Sequence, residues 1–344
     1  MKDETVLVTG GSGFVASHCI AQLLRDGYRV RTSVRSLARE SEVRAMIKQA
    51  GIETDERLSF VAADLTSDQN WSEAVQGCSY VLHVASPFSL NMPKNEDDMI
   101  VPARDGTLRV LRAAQTAGVK RVVLTSSFVA VAYGQAAQNK PFTEENWTNL
   151  QGDITTYMKS KTIAERAAWD FVSQPGNRLE LAVVNPVGIF GPVLGKDLSD
   201  SIHVIRLILN GRVPFLPRTY ITMVDVRDLA DLHIRAMTRP EAKGQRFIAA
   251  SDEVLSLQAI ASMLKEQLGP VASRVSTRLM PDWIVRLAGR YNQTARNLAR
   301  ELGQIRAASN VKARQLLDWQ PRSNSETIMA TAQSLLQFGL VRSK

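Results

Sequence analysis

The stretch that decides the fold is Val6-Leu7-Val8-Thr9-Gly10-Gly11-Ser12-Gly13-Phe14-Val15-Ala16-Ser17-His18. A short apolar run ends at Thr9, three glycines follow, and then Val15, Cys19 and Leu23, with Ile20 and Leu24, recur at helical spacing until Gly27. That is strand, tight turn and helix. Gly10 permits the turn, Gly13 has no Cβ to hold a phosphate off the backbone, and Ala16 is small enough for the helix to pack on the strand. The free N–H groups of the new helix then face an anion. The pattern therefore predicts a dinucleotide site, with Thr9, Gly10, Ser12, Gly13, Phe14 and Val15 as its contacts.

Outward from this unit, strands are expected at 28–34, 58–62, 80–84 and 121–125, with helices between them. One of these helices covers about Val101 to Ala117. Alternation of this kind argues an α/β fold with a doubly wound parallel sheet of Rossmann type. The second strand runs into Arg35, with Arg39 four residues on and no acid at its end. An arginine there suits a 2′-phosphate and a carboxylate suits a free ribose hydroxyl. NADPH/NADP+ is thus expected over NADH, against the plainer reading of two surface arginines. Asp64 and Leu65 follow the third strand, where the carboxylate can accept from an adenine amino group. Val84, Ala85 and Ser86 follow the fourth and are small enough to let a cofactor lie close.

The fifth strand leads into Ser126 and Ser127, and some thirty residues on comes Tyr157-Met158-Lys159-Ser160-Lys161, opening a helix to about Phe171. Tyr157 and Lys161, four apart, share a helical face. Carbonyl reduction needs a proton as hydride arrives. A neighbouring ammonium favours tyrosinate, so Lys161 is expected to lower the pKa of Tyr157 and to bind the ribose. Ser127 would orient the carbonyl.

Together these residues resemble the extended short-chain dehydrogenase/reductase superfamily, in its dihydroflavonol 4-reductase and NADPH-dependent aldehyde/ketone reductase branch. The likeness runs over nearly the whole chain. It is carried by TGGSGFVASH, SVRS, HVASPF (83–88), VVLTSS (122–127), YMKSK and VVNPVGIFGPVLG (183–195), with VDVRDLADLH (224–233) and QPRS (320–323) beyond. The resemblance implies that Pro186, Val187 and Ile189 pack along the nicotinamide side and that Thr125 lines the cofactor's path. It also implies a domain over 1–185, rejoined by 221–250, and a smaller, mostly helical substrate lobe over 186–220 and 251–344. Two departures stand out. Ala16 replaces the third glycine, and Ala132 stands where plant dihydroflavonol reductases carry a flavonoid-contacting asparagine. The expectation is a reductase of hydrophobic aldehydes or ketones, with Phe88, Phe128, Val129, Val187 and Met223 beside Ser127 and Tyr157 as candidate pocket liners.

Three other readings compete. A nucleotide-sugar epimerase or dehydratase would carry an acid near the end of the second strand, and dehydratases favour Thr-Asp-Glu where this chain has Thr-Ser-Ser. A hydroxysteroid-type dehydrogenase shares the triad. A non-catalytic NADPH sensor would commonly have lost the tyrosine or lysine.

The 344 residues carry a net charge of +8, with scattered basic residues and no interleaved aromatic motif. A solvated basic face is expected, not nucleic-acid binding. No apolar stretch approaches the roughly 20 residues that span a bilayer. The first strand starts at once, which is read as leaving no room for a leader. Cys19 and Cys78 are read as reduced core residues of a cytoplasmic protein. The four histidines show no metal-ligand spacing, so no metal is expected. The expected partner is a small carbonyl or alcohol, and the chain is expected to be a monomer or homodimer. A dimer would pair the helices near 101–117 and 157–171, as in relatives.

Overall fold

Runs of β-branched residues form the strands, and their alternation builds a core on each side of one sheet. The computed structural model describes residues 4–87, 95–135, 138 and 140–341. The chain begins β1 (Thr5–Val8), α1 (Phe14–Arg25), β2 (Arg29–Val34), α2 (Glu40–Gln49), β3 (Leu58–Ala62), α3 (Trp71–Val75) and β4 (Tyr80–His83). It continues α4 (Asp97–Thr116), β5 (Arg121–Thr125), α5 (Thr156–Val172) and β6 (Glu180–Pro186). Then come β7 (Gly188–Phe190), α6 (Asp200–Leu209), β8 (Tyr220–Asp225), α7 (Val226–Thr238), β9 (Arg246–Ala249) and β10 (Val254–Ser256). The last helices are α8 (Leu257–Leu268), α9 (Asp282–Ala288), α10 (Gln293–Glu301), α11 (Val311–Leu317) and α12 (Asn324–Gln337).

Seven strands form one sheet in the order β3-β2-β1-β4-β5-β6-β9, every pairing parallel. Successive side chains point to opposite faces. Val6 and Val8 join the core under α1, α2, α7 and α11, while Leu7 joins the core under α3, α4 and α5. Burial on both faces is why β1, β4, β5 and β6 read as nearly continuous apolar runs, while β2, RVRTSV, does not. The chain changes direction across the sheet between β1 and β4, and the crevice outside their carboxyl ends is the place for a ligand.

A second sheet, β10-β8-β7, holds the smaller lobe, where Phe190, Ile205, Met223, Ile260 and Leu335 share a third core. Three expectations change here. Residues 221–250 divide between the sheets, because β8 pairs with β7 and β10 while β9 joins the edge of the large one. The lobe carries strands as well as helices. Finally, α4 starts a turn before Val101, with Pro102 inside it. A proline reads as a helix start, but Asp97 and Asp98 complement the helix dipole one turn earlier.

Side chains cap some helix starts and leave others, α1, α2 and α6 among them, without a cap. Thr155, Asp225, Ser256 and Ser323 each accept a backbone N–H at the starts of α5, α7, α8 and α12. Helix α1 begins at Gly13 with no side-chain cap, which leaves its first N–H groups for another partner.

Candidate active site

The turn before α1 is built by contacts that only glycine permits. Gly10 has φ of +72°, and a Cβ there would lie 2.9 Å from the Ala85 Cβ. A Cβ on Gly11 would lie 2.2 Å from Thr32 Oγ1, which donates to the Val8 carbonyl at 2.8 Å. The turn is tied to β2 by Gly10 N–H donating to Ser33 Oγ at 3.1 Å and Gly11 N–H donating to the Ser33 carbonyl at 2.9 Å.

Above this turn opens a cavity of about 1050 Å³. Gly10, Ser12, Gly13, Phe14 and Val15 form its floor; Arg35, Arg39, Asp64 and Leu65 stand at one end; Val84, Ala85 and Ser86 flank it; Thr125, Ser127, Tyr157, Lys161, Pro186, Val187 and Ile189 stand at the other end. An uncapped helix start, backbone cleared of Cβ atoms and two arginines suit a dinucleotide with an extra phosphate. Arg35 is exposed at the cavity edge. Arg39 is already engaged, donating to Glu42 at 2.8 and 2.9 Å and reaching Asp197 at 3.4 Å. Asp64 accepts from the Thr66 N–H at 2.8 Å and its hydroxyl at 2.7 Å, which holds this carboxyl below the usual range and leaves it an ionised acceptor.

Thr9 departs from expectation. It is wholly buried behind the turn, where its Oγ1 accepts from Ala85 N–H at 2.9 Å and meets His83 Nδ1 at 2.9 Å. It braces the cavity wall instead of lining it. Thr125 has a second partner beneath the cavity. His233 Nδ1 lies 2.7 Å from the Leu229 carbonyl and so carries the proton, and the Thr125 hydroxyl then donates to Nε2 at 2.7 Å.

Strand β5 ends at Ser127, which opens a 3-10 turn over Phe128–Ala130, and α5 brings up Tyr157 and Lys161. The Ser127 hydroxyl hydrogen-bonds Tyr157. Burial pushes the Tyr157 phenol above its ordinary value, with Asp200 adding to this and the Ser127 bond opposing it. Lys161 is pulled down to about 8 by burial, against the pull of Glu165. The direction for Tyr157 is thus opposite to the expected lowering. Desolvation of the phenolate outweighs the Ser127 hydrogen bond that opposes it.

The expected pocket liners separate. Val187 lines the cavity. Phe128 is buried against Phe142, their ring centroids 6.1 Å apart, in a cluster with Val131 and Ala132. Met223 is wholly buried in the lobe core. Val129 serves through its backbone, its N–H donating to Ser127 Oγ at 3.3 Å and its carbonyl accepting from Thr148 at 2.6 Å. Phe88 lies outside the described residues. Several wall residues were not anticipated, among them Asp98, Met99 and Pro102 of α4, and Ser199, Asp200 and Ser201 at the start of α6. The helix-start pattern Ser199-Asp200 was their available signal. Among the described residues no cluster of metal-ligating side chains occurs, and no helix is long and apolar enough to cross a membrane.

Comparison with known proteins follows this geometry. The model of the NAD dependent epimerase/dehydratase family matches residues 6–250. A Candida albicans protein with the provisional name NADPH-dependent methylglyoxal reductase is 33% identical, over 80% of this chain and 86% of its own length. Dihydroflavonol 4-reductase of Zea mays is 32% identical, over 76% of this chain and 74% of its own. The solved structure of yeast methylglyoxal/isovaleraldehyde reductase complexed with NADPH has a TM-score of 0.80 and 26% identity, over 97% of this chain and 99% of that one. On this match in sequence and architecture, the chain belongs to the NAD dependent epimerase/dehydratase family, the extended short-chain dehydrogenases/reductases, in the branch of the dihydroflavonol and methylglyoxal reductases.

Proposed function

We propose that this protein is an NADPH-dependent reductase converting hydrophobic aldehydes or ketones to alcohols. The observation that carries the reading is one continuous cavity with Arg35 and Arg39 at one end and Ser127, Tyr157 and Lys161 at the other. NADPH bound there supplies the hydride. Ser127 orients the carbonyl oxygen by hydrogen bonding. Tyr157 donates its phenolic proton to that oxygen, so the carbonyl becomes CH–OH. The tyrosinate left behind is stabilised by the Lys161 ammonium and reprotonated from solvent. A phenol pushed upward by burial keeps its proton at neutral pH, as an acid must. The relatives' names, methylglyoxal, isovaleraldehyde and dihydroflavonol reductases, all describe carbonyl reduction. Ala132, at the position of the flavonoid-contacting asparagine of plant dihydroflavonol reductases, offers no amide to a flavonoid; it is buried with Phe128 and Phe142 and does not line the cavity. Epimerase or dehydratase chemistry fits less well, since Arg35 stands where those enzymes carry an acid and Thr125-Ser126-Ser127 where dehydratases favour Thr-Asp-Glu.

The test is oxidation of NADPH and, in parallel, NADH with a panel of hydrophobic aldehydes, ketones and α-keto esters. Turnover with NADPH and weak turnover with NADH is the expected result. Bound cofactor with no oxidation by any carbonyl would overturn the reading.

A further inference from the structure

Glu165 lies two turns beyond Tyr157 and one beyond Lys161 on α5, so the three share a face. It is 1% exposed. Its Oε2 accepts from Ser126 Oγ at 2.5 Å and Asn185 Nδ2 at 2.7 Å, and its Oε1 from Arg246 Nε at 2.5 Å and Trp169 Nε1 at 3.3 Å. Arg246 is itself fixed, donating to the carbonyls of Glu144 and Asn146 at 2.7 and 2.9 Å and lying 3.8 Å over the Trp147 ring. The same Asn185 amide donates to the Ser127 carbonyl at 3.2 Å. Strands β5, β6 and β9 thus meet α5 at one carboxylate, which touches the backbone of Ser127 through one residue.

A small cavity of about 10 Å³ lies against Lys161, with Thr107, Thr125, Ser126 and Glu165 also in its wall. That is room for about one water, and the wall has the polar partners a water needs. A buried ion pair that merely joined these elements would be replaceable by apolar packing. Here the arrangement is kept although Asn185 Oδ1 and Arg246 Nη2 are buried without hydrogen-bond partners among the described residues. A polar network retained with unsatisfied atoms beside a reacting centre points to function.

We propose that Glu165 is a positioning residue. Its carboxylate, clamped by Ser126, Asn185 and Arg246, holds the Lys161 ammonium through one buried water and ties it to the Ser127 backbone, so that both stand beside Tyr157 in one geometry and one charge state. This rests on Lys161 acting in carbonyl reduction. The charged and titratable groups facing Lys161 are Tyr157 and Glu165 on its own helix, His83 on β4, Arg246 on β9 behind Glu165, and Asp98 and Asp200 across the main cavity. His83 is buried and pushed down to about 3, so it is neutral near pH 7. Glu165 is therefore the buried anion on the Lys161 side of α5, and its charge opposes the burial that pulls the lysine down.

The experiment is an NMR titration of 13C-labelled lysine side chains in the cofactor-free protein, with the Lys161 signal identified by its loss in Lys161→Arg. The wild type should titrate at about 8. In Glu165→Gln the midpoint should fall by about one pH unit or more, about tenfold in the proton equilibrium. The alkaline limb of kcat should move the same way. Should the lone Arg246 charge prevent folding, Glu165→Gln with Arg246→Met removes both charges and carries the same expectation. An unmoved midpoint in either folded variant overturns the proposal. If neither variant folds, Glu165→Asp, which keeps the charge and draws the carboxylate back from Lys161, should lower the midpoint, and an unmoved midpoint overturns the proposal. The titration reads Lys161 without turnover, so failure of the reductase reading would show in the carbonyl panel and leave this result intact.

Discussion

Tyr157 and Lys161 divide one task by titrating in different ranges. The lysine gives up its proton as pH rises through about 8, while the half-buried tyrosine holds its own beyond the ordinary phenol value. The pH profile of reduction should therefore be level at neutral pH and fall on the alkaline side near 8, where the ammonium that stabilises tyrosinate is lost; a profile that rises through this region would contradict the assignment. Tyr157→Phe should lower kcat by about 10²–10⁴-fold, with the NADPH fluorescence titration and thermal midpoint close to wild type. Arg35→Asp should weaken NADPH far more than NADH, read as the ratio of kcat/KM for the two cofactors, and an equal loss for both would remove Arg35 as the selector. These residues were legible in the sequence because each sits at a short, fixed offset from a strand end or helix start. Met223 and Phe128 were not sorted from the pocket, since an apolar residue near a site has the same composition whether it lines or supports it. Glu165 could not be recognised at all. Its partners Asn185, Ser126 and Arg246 lie 20, 39 and 81 residues away, and no local pattern records such meetings.

The glycine turn and the strand behind it form the element on which the cavity rests. Gly11→Ala would drive a Cβ into the Thr32 side chain, and Thr32 cannot step aside without releasing the Val8 carbonyl. We expect a loss of about 1–3 kcal/mol in denaturant unfolding. Combining it with Thr32→Ala should recover part of that loss, and strict additivity of the two changes would show that the clash is not the cause. The central parallel strands β1, β4, β5 and β6 were readable because burial on both faces writes a nearly continuous apolar run. The strands of the small sheet were less so. Val254–Ser256 is three residues long and leads straight into α8, so helical periodicity masks it, and its pairing with β8 depends on residues more than thirty positions back.

At the scale of the molecule, two lobes are joined where β6 leaves the large sheet and β7 enters the small one. That crossing is held from the far end of the described chain. Thr331 Oγ1 on α12 accepts from Gly191 N–H at 2.7 Å, Ser334 Oγ from Val193 N–H at 2.9 Å, and on the other side the Pro192 carbonyl meets His18 Nε2 at 2.9 Å. Thr331→Val would leave the buried Gly191 N–H without its acceptor. It should lower unfolding stability by about 1–3 kcal/mol, whereas Thr331→Ser should stay near wild type; equal effects from both would argue that shape, not the hydroxyl, matters there. The span between Gly191 and its acceptor also has a meaning in time. The two are 140 residues apart, and ribosomes add about 5–20 residues per second. For roughly 7–28 s after Gly191 is made, its anchoring hydroxyl has yet to be synthesised. A nascent chain can assemble the glycine turn and the large sheet early. The wall that carries Val187 and Ile189 stays unfinished until translation has passed α12, and that interval is when a protease or chaperone would find this protein open.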